Sequence, residues 1–167
     1  MITAPALPAP LACVASCLPE MMSPEARVAV ERLVASAGPE GAVAALAAGG
    51  IGLGTRWTAL MIAIESGDAG WLHVAALLRP GTSGATADSL LAALSTALRR
   101  NAPGVLRLMG VGIRPEDVCV PRITDARPID LKVFEVHSRN ALVMVSDPAL
   151  RALRDRCLAL IDENAEN

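Results

Sequence analysis

Apolar positions recur along the chain at three- and four-residue steps, and hardly anywhere in strict alternation. Ser23 offers an N-cap hydroxyl and Pro24 suits the first helical position. Ala26, Val30, Leu33, Val34 and Ala37 then share one helical face up to Gly38. A short Ala-rich helix is predicted from Glu40 to Ala48, then a Gly-rich break through Gly54. Trp57, Leu60, Met61 and Ile64 mark the next helix, which Gly67 ends. Asp68 caps another, carrying Trp71, Val74, Ala75 and Leu78 and closed by Pro80-Gly81. The longest clear stripe, Ala87, Leu90, Leu91, Leu94, Ala97 and Leu98, predicts a helix over about Thr86–Arg100, with Arg99 and Arg100 placed to favour its negative end. A short helix over Gly104–Met109 follows. The last begins near Asp147-Pro148 and carries Leu150, Leu153, Cys157, Leu160 and Ile161. Two stretches read less regularly. Arg114–Asp130 is mostly loop. Asp130–Asp147 is Val-rich, so a small β-hairpin near 131–145, turning at Ser138–Asn140, competes with a helix that its surroundings favour.

The expected fold is therefore all-α: a multi-helix bundle or a short solenoid of helical hairpins, with Trp57 and Trp71 in similar places of consecutive helices. Residues 23–167 form its single domain. Residues 1–22 read as a flexible or signal-like arm. They are apolar, but prolines interrupt them and no Arg or Lys precedes the apolar part. Val14–Cys17, "VASC", resembles a lipoprotein cleavage site.

Composition sharpens this picture. Apolar residues make up 53% of 167 and aromatics only 2%, so the core must be Ala, Leu and Val on closely approaching helices. A net charge of −2, with no basic patch interleaved with aromatics, argues against nucleic acid as a partner. The longest apolar run, Gly41–Gly54, falls short of the roughly 18–20 residues that span a bilayer. Excess apolar character then has two outlets: a well-filled core, or a surface that meets another protein.

Candidate chemistry is sparse. His73 lies about 200° around its helix from Trp71, beside Leu77, with no carboxylate or nucleophile at helical spacing. It reads as a core histidine, whose replacement would cost about 1–3 kcal/mol. His137, between Glu135 and Arg139, reads as part of a solvated face. "PGTSG" (Pro80–Gly84) lacks the spacing of a nucleophile elbow and no strand precedes it. "GGIGLGT" (Gly49–Thr55) follows a helix where a dinucleotide fingerprint needs a strand, and reads as an interhelical hinge. The acidic pairs Glu116-Asp117 and Asp162-Glu163 have no calcium-loop spacing. No catalytic residue, cofactor or metal is expected. Of the four cysteines, Cys119 lies beside a turn and Cys157 on a core-facing stripe. A bridge between them would imply an oxidising compartment; two buried free thiols in a cytosolic protein are the alternative. The roles of Cys13 and Cys17 stay open.

Gly67, Asp68, Trp71 and Leu72, then Leu78, Pro80, Gly81 and Thr82, then Ala97, Leu98, Asn101, Val105 and Leu106 match a set of spaced motifs. Their pattern is Gly-Asp-x-x-Trp-Leu, Leu-x-Pro-Gly-Thr and Ala-Leu-x-x-Asn-x-x-x-Val-Leu, with Cys119 and Cys157 beyond it. In these residues the chain resembles a group of small bacterial envelope proteins, mostly secreted and without an assigned activity. It more faintly resembles periplasmic immunity proteins that neutralise peptidoglycan amidases delivered by type VI secretion. That likeness implies a small helical, disulfide-bonded protein that fills a toxin's catalytic cleft.

The leading functional expectation is thus a non-catalytic envelope protein, periplasmic, that binds a secreted peptidoglycan hydrolase; a cytosolic helical scaffold is the alternative. A homo-oligomer is also open. Two loops are the expected contact surfaces: Pro80–Asp88, with Thr82, Ser83 and Thr86, and Val120–Asp130, with Arg122, Asp125 and Arg127. Arginine favours such roles because its planar fork pairs with carboxylates.

Overall fold

The computed structural model describes residues 7–8, 11–13, 16–110, 112–122 and 127–166. It is all-α, with no strand among the described residues. After α1 (Leu18–Met21), Ser23 caps α2 (Pro24–Ala47), its hydroxyl accepting from the Ala26 amide at 3.2 Å. Gly38, at φ 72°, kinks α2 ahead of Pro39, at the position where the sequence predicts a stop. Two short helices follow the Gly-rich hinge: α3 (Arg56–Glu65) and α4 (Ala69–Leu78). A 3-10 turn, Arg79–Gly81, leads into α5 (Gly84–Leu98). Then come α6 (Ala102–Leu108), α7 (Pro115–Val118), α8 (Pro128–Val143) and α9 (Arg151–Ala165).

The predicted stripes are the faces that pack, except that Ala37 at the end of the α2 stripe is exposed. α2 lies on α4, α3 on α5, and α8 on α9, while α6 and α7 join the two halves through α5. Trp57 is fully buried, and its indole N–H donates to Ser89 Oγ at 2.8 Å. With so few large rings, backbones must meet directly. Gly81 sits where an added Cβ would lie 2.2 Å from the carbonyl carbon of Pro39, so the turn after α4 nests on the kink of α2.

One expectation needs correction. The hairpin considered near 131–145 does not form, because Pro128 starts a helix and Asp130 caps it by accepting from the Arg127 amide. Phe134, Ser138 and Leu142, four apart, are its buried positions. The hairpin would instead have placed Ser138 in its turn, whereas it is fully buried on the same face as Phe134 and Leu142. The described part of residues 1–22 also packs on the helical domain. Leu11, Cys17 and Met21 are fully buried in the common core, and α1 packs on α3. Cys13 is bonded to Cys17, which occupies the sulfur of the lipoprotein-like "VASC". The buried Arg56 guanidinium donates to Ala45 O at 2.7 Å and to Cys13 O at 2.9 Å, tying this segment to the last turn of α2. Carbonyls there are the negative end of the helix, and burial lowers the Arg56 pKa.

Cys119, the residue after α7, is bonded to Cys157 on α9, as the sequence suggests. Opening that loop in a Cys119→Ser/Cys157→Ser variant is expected to cost about 4 kcal/mol in the chain-entropy model, read as a lowered urea midpoint. Both bridges also predict no alkylation of freshly denatured, unreduced protein; labelling of all four thiols would contradict them. Gly81→Ala is expected to cost about 1–3 kcal/mol by overpacking. Gly49→Ala, with nothing within 4 Å of the new Cβ, should stay within about 0.5 kcal/mol of wild type.

Candidate functional site

The described start of the second loop, Val120 to Arg122, lies against α5 where the first loop ends. Arg122 lies 3.8 Å from Asp88, in the first turns of α5, and Ser95 Oγ on the same helix donates to Val120 O at 3.2 Å. The Cys119–Cys157 bridge fixes the start of the second loop. Asp117 is the hub beneath it. This buried carboxylate accepts from Arg114 through Nε at 3.1 Å and NH2 at 2.9 Å, and from the Arg114 amide at 3.1 Å. Arg122 NH2 adds a longer contact of 3.4 Å, and its Nε donates to the Asp117 carbonyl. The Arg114 hydrogen bonds hold the Asp117 carboxyl below its ordinary range, against the opposing effect of burial.

Most of the expected contact residues turn out to have structural partners. Thr82 Oγ1 donates to Arg79 O at 2.8 Å and accepts from Arg79 NH1 at 3.0 Å, closing the turn. Thr86 Oγ1 accepts from the Ser83 amide at 3.1 Å and donates to Ser83 O at 2.8 Å, which starts α5. Arg127 forks onto Asp130 at 2.8 and 2.9 Å, yet stays three-quarters exposed. Arg122 is only 29% exposed and braces Asp117. Asp125 lies outside the described residues. Asp88, which sequence reasoning does not single out, is 77% exposed where α5 meets Arg122. Only its place just inside the N-terminus of α5 hints at it, and its neighbour Arg122 comes from a distant segment.

His73 is exposed, which overturns its reading as a core histidine. Small residues mislead there: Ala69, Gly70 and Ala76 on the outer side of α4 look apolar but do not demand burial. His137 is exposed as well. All four cysteines are in disulfides, so none supplies a thiolate. No cluster of three or more His, Cys, Asp or Glu that could hold a metal occurs among the described residues, and no helix among them is long and apolar enough to cross a membrane.

The spaced motif residues hold the fold rather than line this face. Gly67 has φ 74° and its carbonyl accepts from Asn101 Nδ2 at 2.8 Å. Asp68 Oδ1 accepts from the Gly70 and Trp71 amides at 2.9 and 3.2 Å, and Asn101 Oδ1 from Gly104 at 2.9 Å. Compared with protein-family models, curated proteins and solved structures, the chain matches none.

Arg122→Ala is expected to lower stability by about 1–2 kcal/mol, because it strips partners from a buried carboxylate. His73→Gln should change stability by no more than about 0.5 kcal/mol, as for an ordinary surface position. Asp117 also sets a pH dependence. Its folded pKa is depressed, so the stability it contributes is complete above the ordinary carboxylate range and is lost as pH falls through the depressed value. Urea melts across acid pH should show a shallower decline for Asp117→Asn. Glu65 works the other way: burial raises its pKa, partly offset by Arg100 and Arg99, so its contribution is lost as pH rises.

Proposed function

We propose that the protein is a non-catalytic binding domain of the bacterial envelope, of the immunity or inhibitor kind, that occludes the active site of a secreted toxin such as a cell-wall amidase. The observation that carries this reading is the meeting of two distant parts of the chain, the end of the first loop and the start of the second, on one braced face. Arg122 meets Asp88 at 3.8 Å, and the bridge from Cys119 to α9 stiffens the loop behind them. An occluding inhibitor needs such a face, because a rigid loop enters a cleft without an ordering penalty. Ser83, Thr86 and Asp88 are its accessible groups, with Thr82 and Arg122 as braces, and the exposed Arg127 follows along the second loop. Two disulfides suit an oxidising compartment, which favours the periplasm over a cytosolic scaffold.

The test is inhibition of purified peptidoglycan amidases by the disulfide-intact protein, followed by titration calorimetry. Stoichiometric inhibition is expected. Asp88→Arg combined with Arg127→Ala should weaken binding by about 2 kcal/mol or more while the melting temperature holds. An unchanged dissociation constant would place the contact on another face. Failure to inhibit any amidase in the set would remove the amidase reading.

A further inference from the structure

The outer side of α8 carries a second surface, which uses none of the residues of the loop face. Ile129, Val133, Val136, Asn140 and Val143 follow each other at steps of four, three, four and three. That is the d-a-d-a-d seam of a coiled coil. All five are exposed: the apolar four between 41% and 58%, with Met144 beside them at 80%. The opposite side, Phe134, Ser138 and Leu142, is the one buried against the protein's own core. The seam is therefore surplus to the fold.

We propose that this seam is an interface between two copies of the chain, with α8 packed in parallel and in register against α8 of the second copy. Two observations select that occupant. The first is Asn140, whose side chain makes no hydrogen bond among the described residues. Against an apolar partner its amide would be desolvated without compensation. In a parallel, in-register pair each a position faces its own copy, so Asn140 meets Asn140 and the amides satisfy each other. An antiparallel pair would set it against the Val133 level. The second is charge. Every Asp, Glu, Lys and Arg on α8 and at its N-cap is already paired within the chain, Arg127 with Asp130, Lys132 with Glu135 and Arg139 with Asp162, which leaves His137 as the one other titratable side chain there. A two-fold interface brings each rim group near its own kind, and here such a meeting sets no unpaired like charges together. Because α8 is already held helical by α9, pairing carries no nucleation cost. A seam two heptads long is small beside a standard interface, so the dimer is expected to be weak, with a dissociation constant on the order of micromolar.

The experiment is sedimentation equilibrium of the full, disulfide-intact chain across a concentration series spanning that range. A reversible monomer–dimer equilibrium is expected. Val136→Glu, at a position already open to solvent, should raise the dissociation constant by about thirtyfold or more with unchanged circular dichroism and melting. Asn140→Leu should tighten association by roughly tenfold and broaden it beyond a single species, as removing a polar a position does. Single Ile129→Cys and Val143→Cys variants should each form a link between identical positions, found by peptide mapping. Monomer at every concentration, or a dimer that Val136→Glu leaves intact, overturns the proposal. A link at Val136→Cys but at neither end overturns the parallel register. Amidase inhibition does not enter these readouts, so the two proposals fail separately.

Discussion

A core made of alanine, leucine and valine, with three aromatic rings in the whole chain, can be filled only if helices come close together. That closeness is the constraint on which the rest depends. It explains why the turn after α4 needs glycine where it rests on Pro39, and why Gly104 sits against Asn101 and Leu72. It also explains why the two tryptophans are placed with care. Trp57 is wholly enclosed, and its one polar atom is answered by Ser89, whose own hydroxyl donates to Thr86 O. The capping of α5 and the centre of the core are thus one connected arrangement.

The second half of the chain is held differently. α9 buries Cys157, Leu160 and Ile161, and much of its remaining surface is charged. Its attachment rests on the bridge to Cys119 and on ion pairs such as Arg156 with Glu116 at 2.9 Å. Asp117 gathers the same region from within. The segment after α7 is therefore held by covalent and ionic links as well as by the burial of Val118 and Cys119.

Local signals were readable in the sequence wherever the physics is local. Ser23-Pro24, Gly38 and Asp68 each do what their residue types dictate, because a cap or a left-handed turn is decided within a few residues. The Cys119–Cys157 pairing was within reach for a related reason: the turn and the stripe that carry the two sulfurs were both identifiable. What escaped is what depends on distant segments or on ambiguous residue types. The bracing of Asp117 by Arg122 gave no sign, since nothing near Arg122 in sequence says that Asp117 is buried beneath it. His73 looked enclosed because alanine and glycine are equally at home inside and outside. Asp130–Asp147 held two readings because valine suits both a strand and a half-exposed helix, and the answer lay in Pro128 and the four-residue spacing of Phe134, Ser138 and Leu142. The link from Cys13 to Cys17 and the fork of Arg56 that anchors it gave no sequence signal at all.

The position of the second bridge imposes an order of assembly on a chain emerging from a ribosome or a translocation channel. α2 through α5 can begin to close around Trp57 as soon as they have appeared, since Ser89, which answers its indole, and the packing of α2 on α4 and of α3 on α5 lie within them. Cys119 cannot find its mate until α9 has been made. Until then the α7 region presents a lone thiol beside a half-built face. The position of Cys119 at the end of α7 is thus settled only after α9 is present.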